Sequence, residues 1–116
     1  MNKILLILFF LSLTSNLMAN KIAIVWECQV VQVNDKKQTN GKINHYKIEV
    51  TPPMVWFGNK TIWSGFVNTK YRYDKENHIL YSISKPWEGV YDLLNHTIVF
   101  TNKDSNLKAY YKCKKI

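Results

Sequence analysis

The chain has 116 residues, 47% of them hydrophobic, and a formal charge of +8. That length holds one compact domain with a modest core and leaves no room for two. The positive balance fits a solvated, solubilising face or an anionic partner, and a lone arginine, Arg72, points away from nucleic acid, whose recognition favours arginine forks.

Residues 1–19 read as a secretory signal peptide. Asn2-Lys3 supplies a positive start, Ile4 to Leu13 is apolar except for Ser12, and Ala19 is a small residue at a plausible cleavage point. The apolar run is too short to span a bilayer. Residues 20–116 are then a single small β domain, expected to be periplasmic or secreted and monomeric.

Export delivers the chain to a compartment where thiols oxidise, so Cys28 and Cys113 read as one intrachain disulfide. A bridge closing a loop of this length contributes roughly 4 to 5 kcal/mol in the chain-entropy view. No C-x-x-C or C-x-x-C-H occurs, so neither thiol redox chemistry nor haem attachment is signalled.

From Ile22 the side chains alternate, with Ile24, Trp26, Cys28 and Val30 on one face and Val25, Glu27 and Gln29 on the other. Past Val30 the apolar phase slips to Val31 and Val33, as a bulge produces. The polar stretch Asn34 to Lys42 ends in Asn40-Gly41, which predicts a hairpin turn there. Ile43 to Val50 is the next strand, burying Tyr46, Ile48 and Val50. Thr51-Pro52-Pro53 ends it, and Met54 to Phe57 and Thr61 to Trp63 form a short pair around Gly58-Asn59-Lys60.

Tyr73-Asp74-Lys75-Glu76-Asn77-His78 and Tyr91-Asp92-Leu93-Leu94-Asn95-His96 repeat the pattern Y-D-x-x-N-H. Both read as tight turns capped by the aspartate, with the asparagine in the left-handed conformation. Strand-like residues flank each, so Phe66 to Tyr73, Ile79 to Ile83, Val90 to Leu93 and Thr97 to Thr101 form a meander. Lys85 to Gly89 is the connection at its other end. The last strand alternates Leu107, Ala109, Tyr111 and Cys113 against Lys108, Tyr110, Lys112 and Lys114. The fold class is therefore all-β, an antiparallel meander closing into a barrel of roughly eight strands or a two-sheet sandwich. The bridge requires the first and last strands to lie side by side or face to face.

Chemistry is thinly signalled. No G-x-S-x-G or H-E-x-x-H occurs, and Glu27, Glu49 and Glu88 lie on separate elements, so catalysis is not expected. His78 and His96, with Asp74 and Asp92, sit two strands apart, too far to share one metal ion, and no metal or other cofactor is expected. Two N-x-T sequons, at Asn59 and Asn95, fall in turns.

The expected function is noncatalytic binding of an envelope component or of an apolar or anionic small ligand. A carrier would place Trp26, Trp56, Trp63, Tyr71 and Tyr81 near a cavity; an interaction module would use the exposed member of Trp56, Trp63 and Trp87. Lys47, Lys70, Arg72, Lys108, Lys112 and Lys114 point outward and form one basic patch if the strands of Phe66 to Tyr73 and Leu107 to Cys113 share a side.

Trp26-Glu27-Cys28 at the start and Tyr111-Lys112-Cys113 at the end resemble the cysteine-bearing ends of the lysozyme inhibitor domains of bacterial envelopes, which are small exported β-barrels. The resemblance implies a protein partner, and an immunity-type role is the related alternative. The inhibitory S-G-x-x-Y pattern of that family has Asn68, not tyrosine, after Ser64-Gly65.

Overall fold

A computed structural model describes residues 23–116, so the segment read as a signal peptide lies outside the described residues. The fold is all-β. Its strands are β1 (Ile24–Val33), β2 (Lys36–Lys37), β3 (Ile43–Val50), β4 (Pro53–Gly58), β5 (Trp63–Gly65), β6 (Lys70–Asp74), β7 (Ile79–Ser84), β8 (Trp87–Asp92), β9 (Thr97–Asn102) and β10 (Leu107–Lys115). All pairings are antiparallel, and the order across the sheet is β5-β4-β3-β1-β10-β9-β8-β7-β6, with β2 folded back on the end of β1.

The ten strands make one curled sheet, a half-barrel, where the sequence pattern leads to about eight strands in a closed barrel or a sandwich. The first and last strands of the described fold, β1 and β10, pair with each other, which would close an up-and-down barrel. The opening falls in mid-chain, between β5 and β6. β5 is only three residues long and pairs with the end of β4, leaving the start of β4 without a ladder partner on that side. Side chains bridge the gap instead: the Tyr71 hydroxyl donates to the Val55 carbonyl at 3.1 Å, and Phe57 meets Phe66 with centroids 4.9 Å apart.

Cys28 lies directly opposite Cys113 in the β1–β10 register, and the two are joined, with Cα atoms 4.0 Å apart. The bridge therefore clamps the seam between the first and last strands of the described fold, and it fits an oxidising compartment. The expected bulge is present: Val30 faces Tyr111 and Gln32 faces Tyr110, so Val31 has no partner opposite it. This extra residue brings both Val30 and Val33 to the inner face.

The inner face is packed at one end by Trp26, Cys28, Tyr46, Ile48, Val55, Leu80, Tyr91 and Ile98. Alternation selects these residues, since each inward position is opposite an inward position of its neighbour. Val50 joins the cluster partly buried.

The turns differ from the expected ones in their details. The first hairpin closes at Asn34-Asp35, where Asn34 takes φ 52°, and Asn40, although left-handed at φ 57°, only bends the chain into β3. Lys85 to Gly89 shrinks to the two residues Lys85 and Pro86, because Ser84 already pairs with Trp87. In the repeated motif, Asp74 accepts from the Asn77 backbone and side-chain amides at 3.2 and 2.8 Å, and Asp92 does the same with Asn95 at 3.0 and 2.8 Å. The left-handed residue is the histidine, not the asparagine: His78 has φ 56° and His96 φ 54°. Histidine is one of the few residues enriched there, and the asparagine is already committed to the aspartate. A third turn of the same build follows, with Asn102 accepting from Asp104 and Ser105 and Asn106 at φ 55°.

Candidate functional site

The packed end of the half-barrel gives way to a cavity of about 510 Å³ at the other end. Its walls come from six strands and the β5–β6 connection: Val30 and Val33 of β1, Tyr46 of β3, Phe66 and Thr69, Ser82 and Ser84 of β7, Trp87, Gly89 and the one charged lining residue, Glu88, of β8, Phe100 of β9, and Leu107, Ala109 and Tyr111 of β10. Small or polar residues stand at inward positions where a filled barrel would carry large apolar ones. Ser82, Ser84, Gly89 and Ala109 leave the space open for that reason.

Phe100 is the centre of the aromatic wall. Its ring lies 5.7 Å from Tyr91 and 5.6 Å from Tyr111, both edge-on, and 6.0 Å from Tyr46. Edge-to-face contacts of this kind fix the rings against each other. Gly89 is required beneath them, since a Cβ there would sit 2.5 Å from Ser82 Oγ and 2.9 Å from the Tyr91 hydroxyl. Burial raises the Tyr46, Tyr91 and Tyr111 hydroxyls above their ordinary pKa, so the wall offers neutral hydroxyls. Ser82 and Lys85 stand in S-x-x-K spacing, which joins a serine to a lysine on a helix. Here Ser82 is on β7 and Lys85 lies in the turn after it, and the buried Ser82 hydroxyl pairs with Tyr91 instead.

Of the aromatic residues expected at a mouth, Trp87 lines the cavity at its rim, 42% exposed. Trp26 is in the packed core. Tyr71 spans the open seam. Trp56 and Trp63 lie on the outer face, where Lys47 Nζ sits 4.6 and 5.5 Å from their ring centroids, and Tyr81 is also outside, with the Arg72 guanidinium 4.2 Å from its ring. Register explains this: Lys47 pairs with Trp56 and Arg72 with Tyr81, on strands whose alternate residues face inward.

The six basic residues all point outward but are spread over β3, β6 and β10 and do not make one patch on the sheet's outer face. β6, carrying Lys70 and Arg72, is separated from β10, carrying Lys108, Lys112 and Lys114, by three strands, or roughly 19 Å along the sheet. Lys114 is engaged by Glu27 at 2.9 Å, a contact that chiefly holds the Glu27 carboxyl below its ordinary pKa. His45 lies on the other side of Glu27, its Nε2 3.5 Å away, buried and without a hydrogen-bond partner. His78 is exposed at its turn, whereas the His96 ring packs on Trp26 at 5.4 Å. Among the described residues, no three of His, Cys, Asp and Glu converge on a common point.

The cavity residues Phe100, Tyr111, Ser82 and Gly89 were not legible as a site from the sequence. Inward-phase serines and glycine on successive strands are the one signal that marks them.

No protein-family model, curated protein or solved structure matches the chain.

Proposed function

We propose that this is a noncatalytic binding domain whose half-barrel cavity holds a small apolar ligand. The observation that carries the reading is the cavity: an aromatic pocket of about 510 Å³ whose lining includes three serine and threonine hydroxyls. Ligand pockets span about 300 to 1,000 Å³ and combine apolar walls with few polar groups. Ser82, Ser84 and Thr69 supply hydroxyls beside the rings of Phe66, Trp87 and Phe100. The apolar member of the two expected ligand classes is favoured, because the lining carries no lysine or arginine.

Native mass spectrometry of protein recovered from its own source tests the reading directly. A bound mass that leaves on denaturation supports it. Binding of the neutral fluorescent probe N-phenyl-1-naphthylamine extends the test to protein without ligand. Ala109→Phe, which fills the space from the wall, should abolish probe binding while leaving the β-sheet spectrum intact. Probe binding unchanged by that substitution would overturn the reading.

A further inference from the structure

Six large hydrophobic side chains stand exposed at one end of the half-barrel: Ile43, Phe57, Ile62, Val67, Ile83 and Trp87, at 41 to 77% exposure. The strand register defines that end. β1, β4, β7 and β9 run into it, while β3, β5, β6, β8 and β10 start from it. It is also the end at which the cavity opens, with Trp87 at the rim and Val67 held beside Ser84 through its carbonyl at 3.2 Å.

Exposed lysines surround these side chains. Lys60 and Lys70 flank the open side, and Lys36, Lys85, Lys103 and Lys108 complete the ring. The carboxylates at this end are Asp35, Glu88 and Asp104, and Glu88 is bound to Lys103 at 2.9 Å. The opposite end is near balance, with Glu49, Asp74, Glu76 and Asp92 set against lysines such as Lys75 and Lys115. The excess positive charge of the described fold is therefore concentrated at the end that carries six of its eight exposed large hydrophobic side chains, Leu94 and Ile116 lying at the other.

We propose that this end is a membrane-docking face that seats the cavity mouth on an anionic lipid bilayer. Charge complementarity selects that partner: a lysine ring is attracted to anionic headgroups, at a strength of about fivefold in affinity for each lysine near the surface. The apolar side chains sit on loops and strand ends around the cavity mouth, Phe57 and Ile62 flanking one turn and Ile83 and Trp87 another, where they can enter the headgroup layer together with the lysines. Trp87 belongs at the headgroup level, where indole is favoured. The proposal goes beyond ligand binding and stands whether or not the cavity is filled.

The test is flotation of the exported protein, with its N-terminus as the cell leaves it, on two kinds of vesicle. One is pure phosphatidylcholine; in the other, phosphatidylglycerol replaces about a third of it. The N-terminal segment is common to all variants and cancels in their comparison. The expected result is binding to the anionic vesicles that weakens at high salt and falls about fivefold for Lys70→Gln or Lys85→Gln. Val67→Asp should lower it about tenfold or more. Leu94→Asp, at an exposed apolar position of the opposite end, should leave it unchanged. Fluorescence should shift to the blue on binding, and Trp87→Phe should remove the shift. Equal binding to neutral vesicles, no vesicle binding, or equal loss in Leu94→Asp and Val67→Asp would overturn the proposal. So would equal affinity for soluble dextran sulfate without a Trp87 shift, which would assign the face to an acidic polymer.

Discussion

The Ser82 and Tyr91 hydroxyls share a buried hydrogen bond of 3.0 Å across the β7–β8 pair, at the floor of the cavity. Neither is apolar enough to be left alone there. Tyr91→Phe strands the buried Ser82 hydroxyl and should cost about 1 to 3 kcal/mol, whereas adding Ser82→Ala removes the orphan and should recover part of the loss. A double-mutant cycle by urea unfolding checks this. Additive single effects would show that the two hydroxyls are not coupled.

The disulfide closes a loop across nearly the whole described fold, with a sequence separation of 85. Its loss should lower stability by about 2 to 4 kcal/mol, mostly by freeing the unfolded chain. The β1–β10 seam keeps its backbone ladder on both sides of the bridge, so the far-ultraviolet β spectrum of Cys28→Ser/Cys113→Ser should match the parent. Chemical denaturation with and without reductant measures the stability change.

The two histidines of the repeated turn should respond differently to glycine. Both occupy left-handed backbone, at φ 56° and 54°, which glycine adopts without the Cβ penalty. His78 is exposed, so His78→Gly should stabilise by roughly 0.5 to 1 kcal/mol. His96 also stacks on Trp26, so His96→Gly should come out about 1 kcal/mol less stable than His78→Gly. Thermal melts of the pair measure the difference.

Those turns also carry an acid dependence. The Asn77 side-chain amide chiefly holds the Asp74 carboxyl below its ordinary pKa. Burial pushes the Asp92 carboxyl up, but the Asn95 amides and the Leu94 amide outweigh it and leave its pKa lowered. A lowered folded pKa gives stability that is present above the unfolded value, about 4, and is lost as pH falls through the folded value. Asp92→Ala should therefore destabilise clearly at pH 7 and progressively less on acidification. Urea midpoints across that range measure it.

At the alkaline side the sign reverses. Burial raises Tyr46, Tyr71, Tyr91 and Tyr111, so above about pH 10 the folded state holds more protons than the unfolded one. Their stability contribution is complete below pH 10 and is lost as pH rises beyond it. In a titration followed by tyrosinate absorbance, these four hydroxyls should ionise together with the loss of the β-sheet spectrum. Ionisation of all seven tyrosines without unfolding would contradict the burial.

What the sequence determined by itself is local. Period-two alternation assigns the inner face of β1, β3 and β10, so Trp26, Tyr46, Ile48 and Ala109 were identifiable as inward residues. The slip after Val30 marked the bulge, and two aspartates followed by Asn-His marked two hairpins. The disulfide also followed, because the chain has only two cysteines and both lie inward on terminal strands. These inferences need only the geometry of one strand or one turn.

Tertiary structure decided the rest. Trp56 and Phe57 are adjacent aromatics, and only the pairing of Lys47 with Trp56 and Tyr46 with Phe57 tells which one faces out. The basic residues point outward, and the distances between them depend on how many strands lie between. The opening between β5 and β6 arises because β5 is too short to continue the ladder, and the cavity arises because small inward residues of three strands, β7, β8 and β10, come level at one end. Both are sums over long-range registers and sheet curvature. Neither leaves a signature within any single stretch of chain.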